Sequence, residues 1–253
     1  MEQRPLAFYI VFHKVLYSEN TTAFLQNEEV KTFVWIGVNE SIPKIIPLKM
    51  KNYPIIYEYQ MRLYNPGFQM NHFYQNSVFF HLYRNPSYLT SKFVGFGQYD
   101  MKFDRSSIPT TLIDDYVYGY FPYVITDVWN LFPLQFWETN FLNIYNQYYG
   151  TSHTFEVLIK YPIFLYHTFI IPTSFFIHIM PFVEHDTNVL LAAMNNQTRH
   201  LAGSLERVFG LCIACGLEEG RLKGYKIQKG ISHISEQHTD DPLRGILQGK
   251  FSH

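Results

Sequence analysis

The sequence predicts an α/β fold in one domain, with a mainly parallel central sheet flanked by helices. Three observations lead there. Short apolar runs alternate with longer segments of helical spacing, the order expected of strands separated by crossover helices. The first run is apolar at every position rather than at alternate ones, as in strands covered on both faces. A chain of 253 residues with 47% hydrophobic content can also fill the core that such a fold needs.

Ala7 to Phe12 (AFYIVF) is the first expected strand, and it stops at His13-Lys14, polar residues that a parallel strand delivers to its carboxyl end. Thr32 to Val38 is the second. Asn71 to Arg84 carries a helical pattern closed by Asn85-Pro86, a strong stop signal. Lys92 to Phe96 forms a third strand and leads into Gly97-Gln98-Tyr99-Asp100. Tyr120 to Thr126 reads as a fourth, ending on Asp127. Leu134 to Tyr149 is helical, Tyr166 to Ile171 is a strand, and Arg199 to Leu217 is a helix with a buried stripe of Leu201, Leu205, Val208, Cys212 and Cys215. From about Ile227 the apolar periodicity lapses. The expected organisation is therefore a domain over residues 1–226 and a tail over 227–253, mobile or lightly docked.

Several function classes are disfavoured by composition. With 20 Lys+Arg against 21 Asp+Glu, the chain has no basic excess for coating nucleic acid. No G-x-G-x-x-G follows the first strand and no G-x-x-x-x-G-K-[ST] occurs, so ordinary dinucleotide and P-loop chemistry lack their phosphate cradle. Cys212 and Cys215 lie within an apolar helical run with no second pair to complete a zinc site, and buried core thiols are expected. The N-terminus lacks the apolar stretch and cleavage site of a signal peptide, so the sequons at Asn20, Asn39 and Asn196 carry little weight. Tyr161 to Val183 is uncharged and long enough to span a bilayer, but Pro162, Pro172 and Pro181 break it, favouring strand, turn and short helix in a soluble core. A soluble protein of a reducing, cytoplasmic compartment is expected. The 23 Phe and 20 Tyr either reflect biased codon usage or supply rings for stacking on a sugar.

In open parallel sheets ligands bind off the carboxyl ends of the strands. That selects His13-Lys14, Gln98 to Asp100, Asp127 and the turn after Ile171. On the late helix, Arg199, Gly203, Glu206 and Gly210 share a face, where the glycines admit either a ligand or a neighbouring element. Glu206 is then a candidate base, or the partner of Arg199 or Arg207. Asp100 can face a ligand or metal, or cap the following turn. Glu184-His185-Asp186 offers metal-type ligands in what reads as a solvated loop, and Trp129 and Trp137 are either stacking platforms or core.

Three of these segments, FYIVFHK, FVGFGQYDM and HLAGSLERVFGLCIA, resemble in content and order a family of GT-A-like glycosyltransferases, over roughly residues 7 to 217. Related bacterial enzymes open with His-Lys-Pro, where this chain has Val15. The Q-Y-D-M and A-G-x-x-E-R forms are most similar to glycosyltransferases of large algal viruses (chloroviruses) that decorate capsid protein, xylosyltransferases among them. The resemblance implies a GT-A-like fold and a nucleotide-sugar donor, with a UDP-sugar and xylose as its particulars, and a glycan acceptor. It places His13 and Lys14 near the nucleotide and Glu206 with Arg199 beside the sugar. Joined to the strand-end and helix-face readings, this makes His13, Lys14, Gln98, Tyr99, Asp100, Arg199, His200 and Gly203 the expected donor contacts, Glu206 the expected base, and Trp129, Glu184, His185 and Asp186 the expected acceptor contacts. Asp100 stands where a D-x-D motif would hold divalent Mn or Mg, but the motif is incomplete, which puts metal dependence in doubt. Glu184, Asp186 and Asp127 are reserve bases. Two rivals remain: a non-catalytic carbohydrate-binding or virion-associated protein on the same fold, and a metal-dependent hydrolase using Glu184, His185 and Asp186.

Overall fold

A run that is apolar at every position is satisfied only with both faces covered, and strand β1 (Leu6–Phe12) is buried along its whole length. The structure, a computed structural model, describes residues 5–12, 33–37, 55–70, 73–98, 101–104, 107–195 and 198–233. Around β1 stand β2 (Phe33–Gly37), β3 (Ile55–Tyr57), β4 (Phe93–Gln98), β6 (Tyr116–Gly119), β9 (Phe169–Pro172) and β10 (Gly224–Ile227), in the order β10-β6-β9-β4-β1-β2-β3. All neighbours are parallel except at β9, which runs antiparallel to both β4 and β6. The sheet is therefore mainly parallel, as expected. Two small antiparallel pairs flank it: β5 (Met101–Phe103) with β11 (Ile231–His233), and β7 (Pro122–Tyr123) with β8 (Ile163–Phe164).

The helices are α1 (Pro66–Met70), α2 (Asn76–Arg84), α3 (Leu134–Trp137), α4 (Asn143–Tyr149), α5 (Phe155–Leu158), α6 (Thr173–Ala193) and α7 (Leu201–Glu218). Helices α2, α6 and α7 pack on one another, and α6 also meets β4 and β9. The aromatic surplus is spent largely here. Phe79 of α2 lies 4.4 Å from the ring of Phe96 in β4 and 4.6 Å from Phe209 in α7, and Phe96 lies 5.5 Å from Phe176 in α6. Offset and tilted ring pairs of this kind add to simple burial. On the sheet itself, a Cβ on Gly95 would come within 2.4 Å of the Phe8 ring, so the glycine in FVGF exists to let that ring lie across the strand.

Four expectations shift. Tyr120 to Thr126 is not a strand of the main sheet: the sheet strand is β6, just before it, and the segment instead supplies the two residues of β7 and enters a 3-10 helix at Ile125–Asn130. Pro122 explains the difference, because it has no N–H for a ladder. The helix expected from Asn71 begins at Asn76. Leu134 to Tyr149 is one helical run interrupted by a π-helical segment, Glu138–Leu142. Beyond Pro172 the helix is not short. It runs 21 residues with Pro181 inside it and carries Glu184-His185-Asp186 on its own turn, not on a loop.

The stripe expected on α7 is buried at all five positions, and both cysteines lie in the core, where burial pushes their thiols up. The segment Thr198–Glu218 is long and apolar enough to cross a membrane by length and composition, and most of it is buried inside the fold. Beyond residue 226 the chain still pairs: the Gly230 carbonyl accepts the Asp104 N–H at 2.7 Å and β11 adds to β5, whereas 234–253 lie outside the described residues.

Candidate active site

Strands β1, β4 and β6 end on one edge of the sheet, and antiparallel β9 begins there. Residues 165–168, which lead into β9, thus sit at the carboxyl edge, whereas the turn after Ile171, expected there, falls at the opposite edge because β9 runs antiparallel to β4. They are tied to the end of β6 by backbone bonds from Leu165 N–H to the Phe121 carbonyl and from Tyr120 N–H to the Thr168 carbonyl, both 3.4 Å. In the sequence His13 and Lys14 follow β1, and Tyr99 and Asp100 follow β4; these four lie outside the described residues.

Tyr166 and His167 take φ values of +57° and +46°, two consecutive non-glycine residues in the left-handed region. Such a turn persists only where its surroundings hold it. Here the Tyr166 carbonyl accepts bonds from Gln98 Nε2 and Thr168 Oγ1, each 2.8 Å, and its N–H donates to Glu206 Oε1. The Tyr166 ring stands edge-on to Phe121 at 5.4 Å, and its hydroxyl accepts from that of Tyr123 at 3.2 Å. His167 is fully buried with neither ring nitrogen bonded among the described residues, packed on Phe79 and Phe209, and burial pushes its pKa down to about 3.

Three distant segments therefore meet at one residue, Tyr166: the end of β4 through Gln98, the turn before β9, and α7 through Glu206. Burial raises the Glu206 pKa, and the Tyr166 N–H and the Arg207 guanidinium pull it back only in part. The residue as a whole is nevertheless half-buried rather than buried. One carboxylate oxygen is pinned, and the other, Oε2, has no hydrogen-bond partner among the described residues. A carboxylate held at one oxygen, open at the other and with raised proton affinity is equipped to accept a proton. Arg207 spends Nη1 on the Gly203 carbonyl at 3.0 Å, and Arg199 bonds its own neighbour, His200 Nε2, at 2.9 Å. Of the two arginines that could pair with Glu206, Arg199 bonds elsewhere, and Arg207 acts on the carboxylate through its charge.

The other candidates separate. A Cβ on Gly210 would meet Ile163 at 2.4 Å, so that glycine admits β8 and not a ligand, whereas one on Gly203 would find only Arg207 and Leu131 at an ordinary 3.6 Å. Asp127 accepts the Val124 N–H at 3.2 Å, capping its 3-10 helix. Glu184 pairs with Arg84, His185 is exposed beside the Tyr148 ring, and Asp186 is wholly buried with neither oxygen bonded among the described residues. Successive residues on a helix point about 100° apart, so these three form no ligand set. No group of three His, Cys, Asp or Glu able to hold a metal occurs among the described residues. Trp137 is core, its Nε1 donating to the Val128 carbonyl at 3.1 Å, while Trp129 is half-buried against Phe155 with its buried Nε1 unbonded.

Sequence patterning missed Tyr166, His167 and Thr168 because no glycine marks the left-handed turn. It also missed the buried pair of His81 and Glu58, in which His81 Nε2 accepts the Asn65 N–H at 2.8 Å. The register of β11 on β5 sets His233 opposite Met101, one residue from Asp100.

No protein-family model matches the chain, and no curated protein sequence does. A solved structure described as the apo form of WbbM, a bifunctional glycosyltransferase, matches with a TM-score of 0.56 and 10% identity, over 92% of this chain and 46% of that one. The chain thus spans about half the length of that protein. The shared feature is the fold, an α/β domain of GT-A-like architecture.

Proposed function

We propose that this chain is a glycosyltransferase that moves a sugar from a nucleotide diphosphate sugar, a UDP-sugar, to a hydroxyl of a growing glycan. The observation that carries the reading is Glu206, half-restrained at the carboxyl edge of a sheet whose architecture it shares with a glycosyltransferase. In an inverting transfer the acceptor oxygen forms its bond to the anomeric carbon as the bond to the diphosphate breaks. The hydroxyl proton passes to Glu206 Oε2, and the electron pair of the broken bond leaves with the nucleotide diphosphate. His13 and Lys14, following β1, supply a donor and a cation for the phosphates. Asp100 is the carboxylate that would hold Mn or Mg, and a cation there would offset the charge gathering on the diphosphate. Xylose as the sugar, a viral capsid glycan as acceptor and the host cytoplasm as location rest on the motif resemblance.

The test is Glu206→Gln, which keeps shape and the bond from Tyr166 while removing the base. Turnover with the UDP-sugar that the parent uses should fall about 10²–10⁴-fold, with donor affinity and melting temperature nearly kept. Lost stability with normal specific activity would make Glu206 structural. A parent that neither transfers nor slowly hydrolyses any nucleotide sugar would favour a carbohydrate-binding role.

A further inference from the structure

We propose that Gln98 is a positioning residue for Glu206, acting through the backbone of Tyr166. The assignment rests on Glu206 being the base in the reading above. Gln98 ends β4 and is buried, and its amide nitrogen is committed to the Tyr166 carbonyl rather than left for a ligand. That carbonyl and the N–H that holds Glu206 belong to one residue in the left-handed region, at a φ of +57°, and its two backbone dihedrals together set their mutual direction, so a hold on the carbonyl also restrains the N–H. Gln98 and Thr168 both grip the carbonyl, and the burial of the next side chain, His167, between Phe79 and Phe209 stops the turn from relaxing. Release of the carbonyl lets the turn rotate, and the N–H swings away from Oε1. Glu206 then loses the bond that both orients it and favours its charged form. The charged neighbour of Glu206 is Arg207, and Gln98 itself is neutral, so removing the amide changes geometry without adding or removing charge. Since Gln98 precedes Tyr99-Asp100 directly, the strand end that leads to the donor-side carboxylate also sets the base.

The experiment follows the glutamate side-chain carboxyl carbons of the full-length chain by carbon-13 NMR across pH, with Glu206→Gln identifying the Glu206 signal. In Gln98→Met the Glu206 midpoint should rise by about half a pH unit or more. In Thr168→Val, which removes the other bond to the same carbonyl, it should move the same way. With the UDP-sugar that the parent turns over, both variants should lose kcat, by about tenfold for Gln98→Met, with KM for donor altered less than about twofold. Unmoved midpoints in both variants would overturn the proposal, even in a protein that transfers sugar. Moved midpoints in a parent that transfers no sugar would instead discard the transferase reading and keep the coupling.

Discussion

Two carboxylates, Glu206 and Asp186, show how placement decides what a charged side chain can do. Burial raises the proton affinity of both, but Glu206 has a backbone donor and Arg207 to draw it back, while Asp186 has neither oxygen bonded. Burial without a partner among the described residues therefore favours the protonated form of Asp186 and raises its pKa well above the ordinary 3.8. The sign of its effect follows. Below the unfolded value both states are protonated and the residue contributes no pH dependence. As pH rises from there towards the folded value, the unfolded chain gives up the proton and the folded one keeps it, so stability falls. Asp186→Asn, close to isosteric and without the titration, should gain on the parent by up to about 1.4 kcal/mol for each pH unit in that window. Thermal melts of both proteins as pH rises from the ordinary aspartate value towards the folded one would show a widening gap in melting temperature, about 2–4 °C per kcal/mol for a chain of this size. A gap that does not change with pH would mean that Asp186 finds a partner in solution. For Glu206 the raised pKa has a kinetic sign: the base works ionised, so the acidic limb of the transfer rate should sit above the ordinary glutamate range.

Helix α7 was the best-read element. Its apolar spacing predicts a buried stripe and the structure buries all five of its members, because tight packing leaves no other place for that face. The two glycines on its other side looked equivalent, and packing makes them differ. Gly210→Ala drives a methyl into Ile163 and should destabilise the fold by about 1–3 kcal/mol. Gly203→Ala has room and should stabilise the helix by about 0.5–1 kcal/mol. Urea denaturation of the two variants should give opposite signs. If Gly203 borders the donor, the stabilised variant should also bind UDP more weakly. Equal destabilisation of both would show that the Gly203 face is closed rather than open. Where sequence patterning failed at this scale, an apolar run outweighed the local signal within it, Pro122. In Tyr120 to Thr126 the apolar run continues past the true strand, and only pairing with β9 and β10 shows that β6 stops at Gly119.

At the scale of the molecule the prediction concerns ligand class. UDP at about 100 times its dissociation constant should stabilise the folded chain by about 2.7 kcal/mol, whereas AMP and NAD, whose phosphates need a glycine-rich cradle that is missing, should not. Asp100→Ala should shrink the shift seen with UDP and leave the melting temperature of the free protein unchanged. No shift with UDP, GDP or CMP compounds in a differential scanning experiment would remove the nucleotide-sugar reading. The layered α/β architecture was legible in the residues because it follows from local pattern. Uniformly apolar runs need cover on both faces, helical spacing makes one buried stripe, and short connections between them leave few ways to stack the layers. The motifs at Gln98 and on α7 were legible as well, but as separate places 108 residues apart in number, Gln98 and Glu206. That they act on the backbone of one residue was not. The meeting depends on β9 running antiparallel to β4, which brings the Tyr166-His167 turn to the carboxyl edge, and on two side chains finding the backbone of a residue that carries no motif. Pattern along the chain determines which segments become strand or helix, whereas contacts between segments remote in sequence arise only when the sheet order and strand directions are set.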